Sequence, residues 1–491
     1  MSRERHTQGM AQRWFTRRAF LVAASASAMA SSWLLTGCGS VGKTAAIRKI
    51  ESSGPASRYV ARAHVAFVRR KGEYGISWPG AVYDGEAARV KYTAQIAAEA
   101  DRLRMNLDLR PAPIYSAQEA DAWIQAARDA KPDGLLVVLL DRQQHAWATA
   151  EKAIDSGIAT VVFSPVGSSF TTNTARPSRK SGCFICSTDD FNQVRYGMKM
   201  LQAAARLRAT RCVVIKGTET REAEIRDLGI TLRYVPAQVF LEEYQKTPVN
   251  DEILALANDY IARAVRMVGA TKEDVINGVK SYVVARTILE REQGDAITMD
   301  CLGALGKTKV SLPCIAWSRM NDDGIPAACE ADLGAVAAHP IVQYLFDRPG
   351  FQQDPVAETA RTAIIGAHCS CPTRLNGFSR PPEPFELRHH HGNRDAIPRT
   401  LWRLGQRITC LDVGLSRKEG EPTKMLISTG EVIENVSVPP AGGCVVSVMV
   451  KFDGVEDVLA FPGFHQIFFY GDYKRELLQF CRLLRLEPTV I

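Results

Sequence analysis

The feature that most constrains the fold is a series of short, continuous apolar runs separated by stretches with helical periodicity. Leu135–Leu140 and Ile158–Phe163 are two such runs, and Trp147–Ser156 between them has the pattern of an amphipathic helix. A strand that is apolar on both faces has to be covered on both sides, as in a parallel sheet with helices on each face. This part of the chain is therefore predicted to be an α/β protein.

The alternation continues on both sides of these runs and predicts two successive α/β units. In the first unit a strand, a helix and a helix opened by a Ser-x-x-Glu capping box are predicted at Ala63–Val68, Glu86–Arg104 and Ser116–Pro132. After a loop, the second unit is predicted to contain a helix, a strand and two long helices: loop Ser164–Ser187, then Asn192–Ala209, Arg211–Lys216, Asp251–Val268 and Thr271–Glu292. A capping box also opens the last helix at Thr271.

The pattern of residues along the chain changes beyond about residue 376. Apolar runs rich in β-branched residues lie at Arg407–Val413, Lys424–Thr429 and Cys444–Phe452, separated by Gly, Pro and Asn. A final helix is predicted at Tyr473–Leu484. The C-terminal part is therefore predicted to be a β-rich domain.

The first 38 residues have the pattern of an export signal. Thr-Arg-Arg-Ala-Phe-Leu at 16–21 matches the twin-arginine signature, a Ser-interrupted apolar stretch follows, and Leu-Thr-Gly-Cys ending at Cys38 resembles a lipobox. The short, interrupted stretch argues against a transmembrane anchor. Residues 1–38 are predicted to be a lipoprotein signal and 39–57 a flexible spacer. Lipidation at Cys38 would anchor the exported protein to a membrane, and the protein would face the periplasm or the cell exterior. Each methylene buried in the membrane contributes roughly 0.8 kcal/mol to the free energy of anchoring.

The positive charge does not indicate a nucleic-acid partner. The formal net charge is +8, and half of it lies in residues 1–38, which hold five Arg and one Glu. The rest carries 56 Lys and Arg against 52 Asp and Glu, with no basic run interleaved with aromatic residues. We expect no nucleic-acid binding.

Three segments concentrate residues that can bind a metal ion or transfer protons. They are 313–332 with Glu330, 350–369 with Asp354 and His368, and 462–472 with His465. Each residue also has a structural interpretation. Glu330 would head the helix predicted at Ala331–Phe346, Asp354 before a proline is typical of a turn, and His465 beside a strand could be a hydrogen-bonded structural histidine.

The order of these segments resembles the L-fucose/L-arabinose isomerase family. Cys-Glu-Ala-Asp at 329–332, Phe-x-x-Asp at 351–354 and Gly-Ala-His-Cys at 366–369 carry the resemblance, together with Gly-Phe-His-Gln at 463–466 followed by Gly-Asp. The resemblance to this family rests on specific motifs only from Thr298 onward. It implies two tandem Rossmann- or flavodoxin-like α/β domains followed by a β-rich, barrel-like C-terminal domain. We place these domains at 58–180, 181–360 and 361–491.

The resemblance also implies a site and a reaction. The metal ligands of the family fall on Glu330, Asp354 and His465, a set that suits a divalent ion, Mn²⁺ above all. Glu330 and Asp354 would alternate as base and acid in an aldose–ketose isomerisation through a cis-enediol. His368 is a further candidate ligand or substrate contact. Gln466 stands where some members of the family carry a second histidine, and it is a candidate substrate contact.

Other motifs leave alternatives open. Trp78, after the first strand, could form an aromatic wall for a sugar or pack a Trp-Pro loop. His389–His391 could be a metal tract or a solvated loop, with the loop favoured. Cys183 and Cys186 have zinc or redox spacing but lack a second pair, which argues against a zinc ribbon. Eleven cysteines follow Cys38, so at least one remains unpaired within a single chain.

The resemblance leaves three functions to compare. The first is isomerisation of a monosaccharide, and the second is another reaction of an exported enzyme of the same fold, namely cleavage or epimerisation of a glycoside. The third is a lipid-anchored sugar-binding protein, since two tandem α/β domains behind a lipobox also describe a solute receptor. The candidate metal ligands and the added β-rich domain favour an enzyme. Relatives of this family assemble into oligomers, so a homo-oligomer is expected by analogy.

We predict that Cys38→Ala abolishes membrane association, because the acylated sulfur would be lost. Replacing both Arg17 and Arg18 by Lys should instead block export. Fractionation of cells expressing each variant of the full chain measures both effects. Retention of the Cys38→Ala protein in salt-washed membranes would contradict the lipobox.

Overall fold

A computed structural model describes residues 47–50, 53–72, 75–76, 83–142, 145–390, 394–416, 421–437 and 444–491. The predicted signal with Cys38, most of the spacer, Trp78 and His391 lie outside these residues, so the predictions made for them stay predictions. Ala45–Ile491 form one compact unit. The domain boundaries proposed within it, near 180 and 360, also stay predictions.

The first α/β unit is built on a five-stranded parallel sheet. Its strands are β1 (Arg62–Val68), β4 (Asn106–Leu109), β5 (Gly134–Leu139), β6 (Thr160–Ser164) and β7 (Cys183–Ser187), and β2 (Gly75–Ile76) and β3 (Tyr83–Asp84) form a separate two-stranded pair. Its helices are α1 (Pro55–Arg58), α2 (Gly85–Leu103), α3 (Ala117–Ala130), α4 (His145–Asp155), α5 (Thr171–Thr174) and α6 (Phe191–Ala209). The strand order β4-β1-β5-β6-β7 is that of flavodoxin-like folds. β5 is buried along its whole length, as its apolar run predicts.

The predicted loop Ser164–Ser187 is wrong at its end. Residues Cys183–Ser187 form β7, which pairs in parallel with β6 at the sheet edge. Cys183 and Cys186 are buried in this strand. Because free cysteine behaves as a small apolar residue when buried, the pair contributes to a strand and not to a zinc ribbon.

The second α/β unit is also built on a five-stranded sheet, in which one edge strand is antiparallel to its neighbour. Its strands are β8 (Arg211–Ile215), β9 (Arg221–Ile225), β10 (Ile230–Val235), β12 (Ala296–Met299) and β13 (Ala327–Cys329), in the order β13-β12-β8-β10-β9, and β11 (Arg266–Val268) lies apart from them. Its helices are α7 (Ala237–Lys246), α8 (Asp251–Arg263), α9 (Lys272–Arg291), α10 (Cys301–Leu305), α11 (Cys314–Asp322) and α12 (Leu333–Phe346). Thr271 forms the predicted capping box of α9. The helix predicted at Asp251–Val268 is wrong at its end, where the chain continues into β11.

The C-terminal part forms a closed antiparallel barrel. The remaining elements are β14 (Phe351–Glu358), β15 (Ala363–His368), β16 (Phe385–His389), β17 (Ala396–Thr400), β18 (Arg407–Gly414), β19 (Lys424–Asn435), β20 (Val446–Phe452), β21 (Gln466–Tyr470), α13 (Lys474–Leu484) and β22 (Glu487–Val490). The barrel order is β18-β21-β14-β15-β20-β19, and β18 pairs with β19 to close it. Closure leaves no free strand edge among these six strands. β11 joins β16 and β17 in a small sheet of its own. The predicted fold class is confirmed.

Helix α12 lies between the second sheet and the barrel. Twelve of its residues are buried, and it contacts α6, β12 and β13 on one side and β18 and β21 on the other. A helix that is apolar on all sides is stable only when it is buried all round. The N-terminus of α12 is thereby held where the second sheet meets the barrel. No helix in the described part of the chain is long and apolar enough to cross a membrane.

One buried carboxylate fastens the start of the described chain to the second sheet. Asp295 is 2% exposed and accepts hydrogen bonds from the backbone amides of Ala56 (3.0 Å), Ser57 (2.9 Å) and Arg211 (3.0 Å). Burial raises the pKa of Asp295, and the three amides oppose that rise. This carboxylate therefore links α1 to β8.

We predict that Asp295→Ala lowers the free energy of unfolding by on the order of 3 kcal/mol, because buried donors left without acceptors cost about 1–3 kcal/mol each. Urea unfolding of the full chain measures the change. Asp101→Ala, at an exposed position of α2, is the control and should change the free energy by less than about 0.5 kcal/mol. Equal midpoints for the two variants would contradict this role of Asp295.

Candidate metal centre

Four candidate residues come from four different elements and meet at one end of the barrel. Glu330 follows β13, at the carboxyl end of a strand of the second sheet. Asp354 lies in β14, His368 ends β15 and His465 directly precedes β21. β14 pairs with both β15 and β21, so the barrel register brings together residues that are far apart in the sequence.

The side chains of these residues approach one another closely. His465 Nε2 lies 3.2 Å from Asp354 Oδ1 and 3.6 Å from Glu330 Oε2. His368 Nε2 lies 3.8 Å from Glu330 Oε1. One ligand atom from each of Glu330, His368 and His465 lies within 4.8 Å of the others, and this group fits a divalent metal ion.

Asp354 is not one of these three residues, but its Oδ1 lies 3.2 Å from His465 Nε2. Both atoms are shielded from solvent, and neither has hydrogen-bond geometry with the other or with any further residue that the structure describes. Buried polar atoms in folded proteins nearly always have a partner. A cation between them would supply it after small side-chain shifts to ligand distances of about 2.0–2.6 Å. The carboxylate and imidazole donors therefore suit a divalent ion in both chemistry and placement.

Asp332 orients His465 from its far side. Asp332 Oδ2 lies 3.3 Å from His465 Nδ1, while Asp332 Oδ1 accepts a hydrogen bond from the backbone amide of Ala335 (2.7 Å). Burial acts to raise the pKa of Asp332, but His465 and the amide of Ala335 together lower it below its usual value. A carboxylate behind a ligating imidazole fixes the ring and strengthens it as a donor.

The electrostatics of the site favour a cation. Burial acts to lower the pKa of His465, but Asp332, Asp354 and Glu330 together raise it above its ordinary value. The pKa of Asp354 is raised, mainly by burial and further by the charge of Glu330, against the opposing effect of His465. The raised pKa of His465 reflects the negative charge of the three carboxylates around its ring.

The local backbone differs from the prediction at two ligand positions. The helix predicted at Ala331–Phe346 starts at Leu333 with Asp332 as its N-cap, so Glu330 does not head it. Glu330 and Ala331 have φ of 60° and 51°, a left-handed conformation that costs energy in residues with a side chain. Asp354 is not in a turn, because it lies within β14 opposite Ala367.

Gln466 and His389, which were also candidates from the sequence, both contact other protein side chains. Gln466 is fully buried, its Nε2 donates to the carbonyl of Pro462 (2.6 Å), and its Oε1 accepts from Gln353 Nε2 (3.0 Å). It therefore holds the loop that carries His465, and its contact with substrate stays a prediction. His389 Nε2 lies 3.1 Å from Asp274 in α9, which indicates a structural role.

A cleft of about 910 Å³ begins beside His465. Its lining includes Asp332, Asp412 and Phe464, although Glu330, Asp354 and His465 themselves do not line it. Phe464 is 61% exposed, and the centre of its ring lies 4.5 Å from that of His465. Burial raises the pKa of Asp412 to about 6. No role was predicted for Asp332, Asp412 or Phe464 from the sequence. Asp332 and Phe464 do lie within the motifs at 329–332 and 463–466 that carry the family resemblance, and this position was the sequence signal for them.

Part of the chain has a relative among known proteins. No protein-family model matches the chain. Over 186 residues the chain is 30% identical to a sulfoquinovose isomerase from Clostridium sp. (strain MSTE9), a match that covers 36% of this chain. The chain spans 40% of that protein's length. The similarity links part of the chain to a sugar isomerase.

The likeness to a solved structure is weak. A solute-binding protein of an ABC transporter from Burkholderia multivorans aligns with 59% of this chain and 95% of its own. The identity is 10% and the TM-score 0.18, which is too low to indicate a shared fold or function.

We expect Mn²⁺ to stabilise the purified full chain through this group. A ligand present at 100 times its Kd raises the free energy of unfolding by about 2.7 kcal/mol. His465→Ala and Asp354→Ala should remove most of the thermal shift and of the Mn²⁺ retained after dialysis. His64→Ala, in β1 of the first sheet, is the control and should keep both. A full shift in His465→Ala would place the ion elsewhere.

Proposed function

We propose that the protein is a metal-dependent aldose–ketose isomerase that acts on a monosaccharide through a cis-enediol. The observation that carries the proposal is the convergence of Glu330 and Asp354 with His368 and His465 beside an open cleft. The partial similarity to a sulfoquinovose isomerase supports the same reaction class. Oxygen donors combined with imidazole make Mn²⁺ the expected ion.

The two carboxylates are placed to move protons on one substrate. Glu330 and Asp354 approach the same imidazole nitrogen, at 3.6 Å and 3.2 Å, so they face a common point. One carboxylate takes the proton from C2 of the open-chain sugar, and a proton is returned at C1, with the pair alternating as base and acid. A bound divalent ion supplies positive charge where negative charge develops on the sugar oxygens.

The residues around the pair keep it in position. Asp332 holds the ring of His465, and Gln466 fastens the loop before it to β14 through Gln353. Rigid support of this kind is needed because small displacements of reacting groups lower the rate strongly. Asp332 and Gln466 are therefore positioning residues in this proposal.

The cleft beside His465 is suited to a polar ring. Asp412 offers carboxylate oxygens to hydroxyl groups, and Phe464 offers an exposed aromatic face to the C–H side of a sugar. A volume of about 910 Å³ has room for a monosaccharide or a short glycoside. Export, a lipid anchor at Cys38 and assembly into a homo-oligomer are parts of the proposal that rest on the sequence and the family resemblance alone.

We predict that Glu330→Gln lowers kcat by about 10²- to 10⁴-fold with a much smaller change in KM, because the amide keeps its size but accepts no proton. Steady-state kinetics across a panel of aldoses, sulfoquinovose included, and short glycosides measures the effect. Glu273→Gln, at an exposed position of α9, is the control and should leave kcat unchanged. Loss of activity with Glu330→Gln that excess Mn²⁺ restores in full would assign Glu330 to metal binding alone.

The proton path has a direct isotopic test. Ketose formed in D₂O should carry solvent deuterium at C1, because a carboxylate that shuttles the proton exchanges it with solvent. Nuclear magnetic resonance of the product measures the incorporation. Product without deuterium at C1 would indicate a hydride shift. Cleavage or epimerisation of a glycoside without any ketose would assign the protein another carbohydrate reaction, and sugar binding without turnover would make it a receptor.

A further inference from the structure

The outer edge of β13, the strand that leads into Glu330, is paired with side chains instead of with another strand. β13 is the end strand of the second sheet and has β12 as its neighbour on one side. The backbone of an end strand presents unpaired N–H and C=O groups on its free side. All three residues of β13 are buried, so these groups need hydrogen-bond partners from elsewhere in the fold.

Two buried side-chain amides supply those partners. Asn321 in α11 donates from Nδ2 to the carbonyl of Ala327 (2.8 Å), and its Oδ1 accepts from the amide of Ala327 (3.2 Å). Gln352 in β14 does the same at Cys329. Its Oε1 accepts from the amide of Cys329 (2.7 Å), and its Nε2 donates to the carbonyl of Cys329 (3.4 Å). Both side chains are 1% exposed. Each amide therefore takes the place of one residue of a neighbouring strand.

The hydrogen bonds of Gln352 lie where the turn to Glu330 begins. Cys329 is the last residue of β13, and Glu330 and Ala331 follow it with φ of 60° and 51°. The amide of Asp332 donates to the carbonyl of Cys329 (3.2 Å) and closes the turn. Residues with a side chain keep a left-handed backbone only where the surrounding structure enforces it. Gln352 therefore fixes the residue from which a strained turn starts.

Strand β14 also determines where the other candidate ligands lie. Asp354 follows two residues after Gln352, so both side chains lie on the same face of β14. Gln352 pairs with Ile467 of β21, which is two residues after His465. A shift of the Gln352 amide relative to β13 would therefore move Glu330 relative to Asp354 and His465.

We propose that Gln352 is a further positioning residue of the metal centre, because it holds the turn that aims the carboxylate of Glu330 at Asp354 and His465. Its effect on catalysis rests on the proposed isomerase reaction, whereas its effect on ion binding requires no sugar. Contacts behind the ligands of a metal ion fix their orientation, and losing one typically lowers metal affinity about 10- to 100-fold.

Thr298 in β12 offers a matched comparison. Its hydroxyl is fully buried and donates to the carbonyl of Ala328 (2.9 Å), in the middle of β13. Thr298→Val keeps the shape of the side chain and removes one buried hydrogen bond to the same strand. Because this bond is on the β12 side and not at the turn, its loss should lower stability without moving Glu330.

The test measures Mn²⁺ binding to the full chain without sugar, by titration followed with electron paramagnetic resonance of the free ion. Gln352→Met keeps the length of the side chain but removes its hydrogen bonds to Cys329, and we expect the Kd for Mn²⁺ to rise about 10- to 100-fold. Thr298→Val should keep the Kd within about twofold of that of the unaltered chain. Thermal unfolding shows whether each variant is folded. Equal Kd values for Gln352→Met and the unaltered chain would overturn the proposal.

A second substitution separates the turn from general packing. Glycine adopts a positive φ without strain, so Ala331→Gly added to Gln352→Met should favour the turn again and recover part of the Mn²⁺ affinity. No recovery at all would contradict the proposal. If Gln352→Met does not fold, Gln352→Asn tests the same contact, because its amide is one methylene too short to reach Cys329.

The results distinguish this role of Gln352 from the isomerase reaction. An unaltered chain that binds Mn²⁺ but forms no ketose would contradict the isomerase, and the Kd values would still decide the role of Gln352. An active isomerase whose Mn²⁺ affinity is unchanged in Gln352→Met would contradict the role of Gln352 alone. An unaltered chain that binds no Mn²⁺ would contradict both.

Discussion

The contact between Asp332 and His465 joins the second α/β sheet to the barrel. One oxygen of this carboxylate caps α12 through the amide of Ala335, and the other lies 3.3 Å from His465 Nδ1. Asp332 therefore caps α12, the helix that follows β13, and also orients the ring of His465, which precedes β21. Since α12 is buried between the two layers, a shift of this helix would move Glu330 and His465 relative to each other.

The negative charge gathered around His465 explains why the site is suited to an ion. Three carboxylates surround one imidazole in a largely buried setting, and this costs energy unless positive charge compensates for it. The left-handed backbone at Glu330 and His465 is a further cost. Strained backbone and concentrated charge at one point are typical of sites maintained for binding or catalysis, where other parts of the fold offset their cost.

Much of the fold could be predicted from the sequence because its signals are local. Continuous apolar runs and the capping residues at Ser116 and Thr271 predicted the parallel sheets and their helices. β7 was missed, because its Cys-Phe-Ile-Cys run resembles a metal or redox motif as much as a strand. The turn predicted at Asp354 was wrong for a similar reason: a residue before proline favours an extended conformation, which serves a barrel strand equally well.

The sequence by itself determined the alternating elements and, through a family resemblance, the three residues Glu330, Asp354 and His465. Only the tertiary structure decided that these side chains meet, because Glu330 follows a strand of another sheet and the ladder of β14 with β21 joins segments more than a hundred residues apart. It also decided that Asp332 faces His465. The two residues come from distant elements, and local sequence patterns carry no information about which distant strands become neighbours when a barrel closes.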